Sequence, residues 1–434
     1  MRTIDLRGRQ FTAAEWLTVV PRAAEALDEA ASAAAEIVAD VRAHGEDALR
    51  EQAERFDRVA DHAIRVPSEH LEEALTSIEP AVRAALEIAI ARVRRASLAQ
   101  VPAPAITRID EGATIVQRWQ PVRRAGVYIP GGKAVYPSTV VMNVVPAQVA
   151  GVESIALASP AQADQGGRVH PTILAVAALL GIDEVYAMGG AGAIAALAYG
   201  VPSLQLDPVD VVTGPGNNFV AAAKRAVSGD VGIDAEAGAT EILVSADDEA
   251  DARLIAYDLV SQAEHDEQAG AVLVTTSERL ATEVDEWTAR LAEATAHSER
   301  ARTALEGPQS AIVLVDDAAS AEAFSNAYAP EHLELHLVDA QDAAARYTNA
   351  GAIFIGATSP VSLGDYLAGS NHVLPTGGTA RFAAGLGASV FLRPQQLIEY
   401  DLDALEQVRD SLVALAGAEL LPAHGEAVSA RFEE

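Results

Sequence analysis

The sequence contains no cysteine. That excludes disulfides, thiolate metal ligands and a thiolate nucleophile together. An enzyme built from this chain that oxidised an aldehyde would have to add water to the carbonyl, because a thioester route is closed. Positive charge is scarce as well: 31 Lys and Arg stand against 62 Asp and Glu, a formal net charge of -31. Such a chain repels nucleic-acid backbones and anionic membrane surfaces, so neither is an expected partner. No apolar run is long and uninterrupted enough to span a bilayer, and Met1-Arg2-Thr3-Ile4-Asp5-Leu6-Arg7 lacks the apolar core of a secretion signal. The expected location is the cytoplasm. What is abundant is apolar surface: half of the 434 residues are hydrophobic, enough for a large core shared among about three domains.

Residues 1–25 suit an N-terminal extension with one amphipathic patch over 11–20 that packs on something else. Helical periodicity fills 28–98, with Ile37, Val38 and Val41 on one face and Val82, Leu86, Ile90 and Val93 on another. Residues 63–66 suit a short strand, and the β-branched run 113–119 suits a hairpin. From Ala125 short apolar runs alternate with helical patterns, with strands expected at 126–129, 154–159, 184–188 and 209–212 and helices at 138–150, 171–180 and 193–199. The same texture resumes after Gly238, with strands at 241–244, 271–275, 311–315, 333–337 and 352–355 and helices at 251–264, 278–294, 318–328 and 340–348. This alternation predicts an α/β fold: two Rossmann-like parallel-sheet domains, one inserted in the other, with small N- and C-terminal helical extensions. The expected parts are 1–25, an α/β domain from 26–124 and 240–386, an inserted α/β domain at 125–239, and a C-terminal helical tail at 387–434, helical through 401–416.

Three glycine-rich turns have a place in such a fold: Tyr128-Ile129-Pro130-Gly131-Gly132, Gly189-Gly190-Ala191-Gly192-Ala193-Ile194-Ala195 and Gly214-Pro215-Gly216-Asn217. Glycine permits close backbone approach, and a helix N-terminus attracts phosphate. The middle turn fits Gly-x-Gly-x-x-Ala between strand and helix, with Asp207 or Asp210 near the acidic position of a dinucleotide site. It also fits a plain tight turn in an alanine-rich chain. Glu331 and His332 sit side by side in an apolar segment and are suited to two different proton transfers. The same pair also suits a helix end stopped by Pro330. Gln262 and His265, three apart on a predicted helix, can face one point, and Asp365, His372 and His424 are further candidate ligands. Nitrogen and oxygen donors of this kind suit zinc or manganese, although Gln is a rare ligand and any single His is more often structural.

Four segments occur in order: Gly214-Pro215-Gly216-Asn217, Ser261-Gln262-Ala263-Glu264-His265, Pro330-Glu331-His332-Leu333-Glu334, and 364–378 with its core Ser370-Asn371-His372-Val373-Leu374-Pro375-Thr376-Gly377-Gly378. Together they resemble the histidinol dehydrogenase family, and the resemblance runs over nearly the whole chain. It implies a zinc-dependent enzyme, with one zinc per subunit, that oxidises L-histidinol through L-histidinal to L-histidine with two NAD, the last steps of histidine biosynthesis. Carried over by position, the resemblance implies zinc ligands at Gln262, His265, Asp365 and His424, which also meet the substrate. It implies Glu331 and His332 as the catalytic pair, with Glu331 activating water and His332 acting as base. Thr240, His332, His372 and Glu419 would contact substrate, and Tyr128, Asn217 and position 192 would contact NAD in the inserted domain. It further implies a homodimer whose tails are exchanged, so that Glu419 and His424 come from the second chain. The tail residues Leu405, Val408, Leu412 and Leu415 would then pack across that interface.

Two positions depart from the family pattern. Gly192 stands where the family commonly has Gln, which predicts weaker NAD binding by about 0.5–1.5 kcal/mol, and Ala239 stands where Pro is usual before Thr240. Two alternatives accompany this reading: a dehydrogenase of the same scaffold acting on another small alcohol, and a non-catalytic homologue that binds metal and nucleotide.

Overall fold

The structure is a computed structural model describing residues 1–22, 25–131, 134–235 and 238–433; Gly132 of the first glycine-rich turn lies outside the described residues. The chain divides into two compact units, 1–100 with 122–391, and 101–121 with 392–434.

Two parallel sheets form the first unit. In the larger, six strands lie in the order Arg2–Asp5, Ala311–Leu314, Gly270–Thr275, Glu241–Ala246, His332–His336, Ala352–Ile355, every neighbouring pair parallel. Its central strands are apolar at successive positions because helices cover both faces. Ile255 and Leu259 of helix Ala252–Ala263 and Leu280 and Val284 of helix Glu278–Ala294 pack with Ile242 and Val244, while Phe324 and Tyr328 of helix Ala318–Tyr328 pack with Leu243 on the other side. The second sheet has five strands in the order Val185–Ala187, Ser154–Ser159, Arg124–Tyr128, Val211–Thr213, Gly232–Ile233, again all parallel. The helices Glu25–His44, Gly190–Tyr199 and Asn218–Val227 share one core with it. Alternating strands and helices thus produce the α/β architecture expected of the sequence.

The second unit is an antiparallel sheet in the order Leu392–Tyr400, Ala113–Pro121, Ala105–Asp110, followed by helices Leu402–Ala418 and Pro422–Ser429. The run 113–119 expected as a hairpin lies within one strand, Ala113–Pro121, whose hairpin partner is Ala105–Asp110, and a third strand stands where a helical tail was expected to begin. Pro394 disguises that strand in the sequence, and is tolerated there because it lies on the sheet's edge.

The N-terminal extension packs through its 11–20 patch as expected, but it opens with a strand. Arg2–Asp5 is an edge strand paired with 311–314, and Leu6 and Val20, with Phe11, Trp16 and Val19 beside them, join the Phe324 core. Four residues bounded by charges carry no periodicity of their own, so only the partner strand reveals them. Near residue 65 only an isolated antiparallel bridge to Tyr186 forms, and the helices Ser298–Glu306 and Val361–Tyr366 were not anticipated. Among the described residues no helix is long and apolar enough to cross a membrane.

Candidate active site

Thr240 and Glu331 each sit one residue before a strand, and those strands are parallel neighbours. The geometry therefore brings them to the same edge of the six-stranded sheet. The chain reaches Glu331 through an abrupt change of direction: helix Ala318–Tyr328 ends at Ala329 with φ 47°, the left-handed region, and Pro330 follows. A non-glycine residue held there costs about 1 kcal/mol or more, which the surrounding packing must offset.

Glu331 is buried, and its Oε2 accepts from Thr240 Oγ1 at 2.5 Å and from the Glu241 N–H at 3.0 Å. Burial pushes its carboxyl above the usual range, while His332 and these two donors pull it back. His332, also buried, directs Nδ1 to the Glu241 carbonyl at 3.2 Å. A carbonyl only accepts, so Nδ1 carries the hydrogen and the neutral ring's Nε2 is left as a base. The backbone of one residue, Glu241, thus holds both groups, its N–H donating to the carboxylate and its carbonyl accepting from the imidazole. The side chain of Glu241 is itself pushed up to about 7 by burial, against the pull of Arg22 at 2.8 Å.

Gln262 lies at the end of helix Ala252–Ala263, where Nε2 donates to Thr240 Oγ1 at 2.7 Å. Its Oε1 is buried without a hydrogen-bond partner among the described residues. An orphaned carbonyl of this kind costs about 1–3 kcal/mol unless a ligand meets it. His265 follows the same helix end; Nδ1 faces the Ser261 and Gln262 carbonyls at 3.2 and 3.3 Å, which leaves Nε2 for a ligand. Asp365 lies on helix Val361–Tyr366, and its carbonyl accepts from His372 Nδ1 at 2.9 Å, while Thr139 Oγ1 lies 3.1 Å from His372 Nε2. Burial lowers the His372 pKa, and the charges of Asp365, His332 and His265 all act on that ring. Asp365 acts on Glu331 as well. The first unit therefore gathers Thr240, Gln262, His265, Glu331, His332, Asp365 and His372 into one neighbourhood. Its donor set of amide oxygen, imidazole and carboxylate fits zinc, and the free Gln262 Oε1 fits a ligand position. Glu419 and His424 belong to the second unit, at the end of helix Leu402–Ala418 and within Pro422–Ser429, and both are exposed.

The glycine-rich turns gather at the smaller sheet. The buried Tyr128 hydroxyl accepts from the Gly190 N–H at 3.1 Å, and burial pushes its pKa up to about 12. Asn217 caps helix Asn218–Val227 through its side-chain oxygen, leaving the amide NH₂ outward. Gly214 adopts φ 125°, and a buried pair, Lys224 and Asp234, grips its carbonyl and its N–H. Gly192 is buried in the first turn of helix Gly190–Tyr199. Asp210 does not serve as the acid of a dinucleotide site, because its carboxylate accepts from the N–H groups of Arg123 and Arg124 at the opposite, N-terminal edge of the sheet.

A family model described as histidinol dehydrogenase matches residues 20–432. The chain belongs to the histidinol dehydrogenase family. It is 63% identical over 434 residues, all of both chains, to a histidinol dehydrogenase of Leifsonia xyli subsp. xyli. To that of Thermobifida fusca it is 56% identical over 429 residues, 99% of this chain and 97% of the other. The crystal structure of histidinol dehydrogenase from Elizabethkingia anophelis superposes with a TM-score of 0.91 at 32% identity, covering 100% of this chain and 98% of that one. As a member of the histidinol dehydrogenase family the protein is an oxidoreductase.

Sequence reading missed one buried cluster in this histidinol dehydrogenase fold. Asp258, Glu334 and His336 each offer a ligand atom, all within 4.8 Å of one another. These donors already engage each other: Glu334 Oε2 lies 3.3 Å from His336 Nε2, and burial beside Glu334 pushes Asp258 up to about 7. Glu334 Oε1 accepts from the Val361 N–H at 2.9 Å. The available signal was the alternation His332-Leu333-Glu334-Leu335-His336, polar at every second position of a strand buried on both faces.

Proposed function

We propose that the protein oxidises L-histidinol through L-histidinal to L-histidine, with zinc and two NAD in succession. The observation that carries this reading is the backbone of Glu241, which donates to the Glu331 carboxylate and accepts from His332 Nδ1, leaving Nε2 of that ring as the nitrogen to take a proton. In the first step His332 Nε2 takes the alcohol proton as the carbon-bound hydrogen leaves as hydride to NAD. In the second, Glu331 takes a proton from water as its oxygen adds to the aldehyde carbon; the hydrate then passes hydride to a second NAD and a hydroxyl proton to His332. Water addition is the route left to a chain without cysteine. Gln262, His265 and Asp365, with His424, would hold zinc. When bound, the metal would fix the substrate imidazole in a near-attack geometry. Thr240, His372 and Glu419 would line the substrate, and Tyr128 and Asn217 the cofactor.

A homodimer with exchanged tails completes this site from two chains. Supporting it, Leu415 and Leu420 of the second unit are 66% and 86% exposed, an apolar surface left over by the single chain. The enzyme is assigned to the cytoplasm, where its dinucleotide is available.

Zinc-loaded protein given NAD and limiting L-histidinol should form two NADH per histidinol, with the activity lost on chelation and restored by zinc. Glu331→Gln should slow the aldehyde step by about 10²–10⁴ and the alcohol step much less. No NADH from folded, zinc-bound protein would refute the assignment.

A further inference from the structure

Gly192 has no side chain to offer a cofactor, yet the space a side chain would take is filled. A Cβ at this position would collide with Gln52 Oε1 and lie 3.0 Å from Gln52 Cδ and 3.4 Å from Leu49 Cδ2. Glycine is not needed here for its backbone freedom, since Gly192 is helical and absent from the residues with positive φ. Glycine inside a helix lowers helix stability. The residue at 192 is therefore small in order to admit Gln52.

Gln52 ends helix Glu46–Gln52, whose Leu49 is buried in the core it shares with helix Gly190–Tyr199. The next five residues, Ala53–Asp57, widen into a π-helical turn, a feature that often marks functional sites. Gln52 thereby lays its carboxamide on the first turn of Gly190–Tyr199, the turn whose Gly190 N–H meets the Tyr128 hydroxyl. Its Nε2 is buried there and has no hydrogen-bond partner among the described residues. A buried N–H without an acceptor disfavours the empty state and favours a ligand that brings one.

We propose that Gln52 supplies, from a neighbouring helix, the carboxamide that Gly192 lacks, and that its Nε2–H donates to a ribose or phosphate oxygen of the bound dinucleotide. The proposal rests on NAD binding at the 189–192 turn. Positions 52 and 192 then act as one unit: the missing side chain of one makes room for the other.

The test is calorimetric titration of NADH into full-length, zinc-loaded protein, with thermal melting recorded alongside. Gln52→Ala should raise Kd about 3–10-fold, the range of one lost hydrogen bond. Gln52→Glu, similar in shape but without the N–H, should lose at least as much. Gly192→Ala should raise Kd by a similar factor without lowering the melting temperature, because its methyl displaces the carboxamide while Ala suits the helix. In the Gln52→Ala background Gly192→Ala should add nothing, and Gly192→Gln should recover affinity. Wild-type affinity in Gln52→Ala, or additive losses in the double variant, would overturn the proposal. Wild-type protein that takes up no NADH would instead overturn the cofactor reading, and this proposal with it.

Discussion

Thr240 is the residue on which the chemistry of the acid–base pair turns. Its hydroxyl donates to Glu331 and accepts from Gln262, so it joins the carboxylate proposed to activate water to a metal-ligand candidate. Removing it takes away a donor that favours the ionised carboxylate, so the Glu331 pKa, already raised by burial, must rise further. A base works only when ionised, and the acid limb of the aldehyde-oxidation profile should therefore move to higher pH in Thr240→Val. On the acid side of that limb the variant should run about tenfold slower for every pH unit the limb has moved. Thr240→Ser keeps the hydroxyl and should keep the wild-type limb. The check is kcat/KM for L-histidinal against pH, and an unmoved limb in Thr240→Val would separate this hydroxyl from the base.

Among the elements, three that carry candidate ligands or catalytic groups meet at one carboxylate. Asp258 lies one turn before Gln262 on their helix, Glu334 follows His332 on its strand, and the Val361 N–H that Glu334 accepts opens the helix bearing Asp365. Glu334→Ala should cost about 3–5 kcal/mol, as expected when a buried polar pair loses a partner, and should release zinc more readily on dialysis. Glu334→Gln keeps an acceptor for Val361 and should lose much less of both, measured by urea unfolding and zinc content. Why this was missed while Glu331 was singled out is a matter of context. Pro330-Glu331-His332 interrupts an apolar stretch, but Glu334 and His336 occupy alternate positions of a strand, where polar residues ordinarily face water. The helices 278–294 and 318–328 were legible to the residue because long amphipathic periodicity is local. Glu241, Arg22 and Gln52 were not, since their partners lie in distant segments and only the fold brings them together.

For the whole molecule, the exposed apolar surface of the second unit carries the assembly prediction. Val408 and Leu415 are exposed on helix Leu402–Ala418, so on a monomer their replacement by Glu should change stability by no more than about 0.5 kcal/mol. If they pack against a second chain, Val408→Glu with Leu415→Glu should give monomers in sedimentation and abolish NADH formation while circular dichroism stays native. An active dimer carrying both substitutions would exclude this helix from the interface.

The edge strand Arg2–Asp5 has a consequence in time. It is synthesised well before its partner, Ala311–Leu314, and the Met1 nitrogen meets Asp285 at 2.7 Å. At about 5–20 residues per second, the opening strand waits roughly 15–60 s for the segment it pairs with. Its charged residues keep it soluble meanwhile, and all but one of its four residues stay exposed even in the finished sheet. The earliest strand of this sheet in chain order thus gains its only neighbour in the sheet after two inner strands, Glu241–Ala246 and Gly270–Thr275, have already been made.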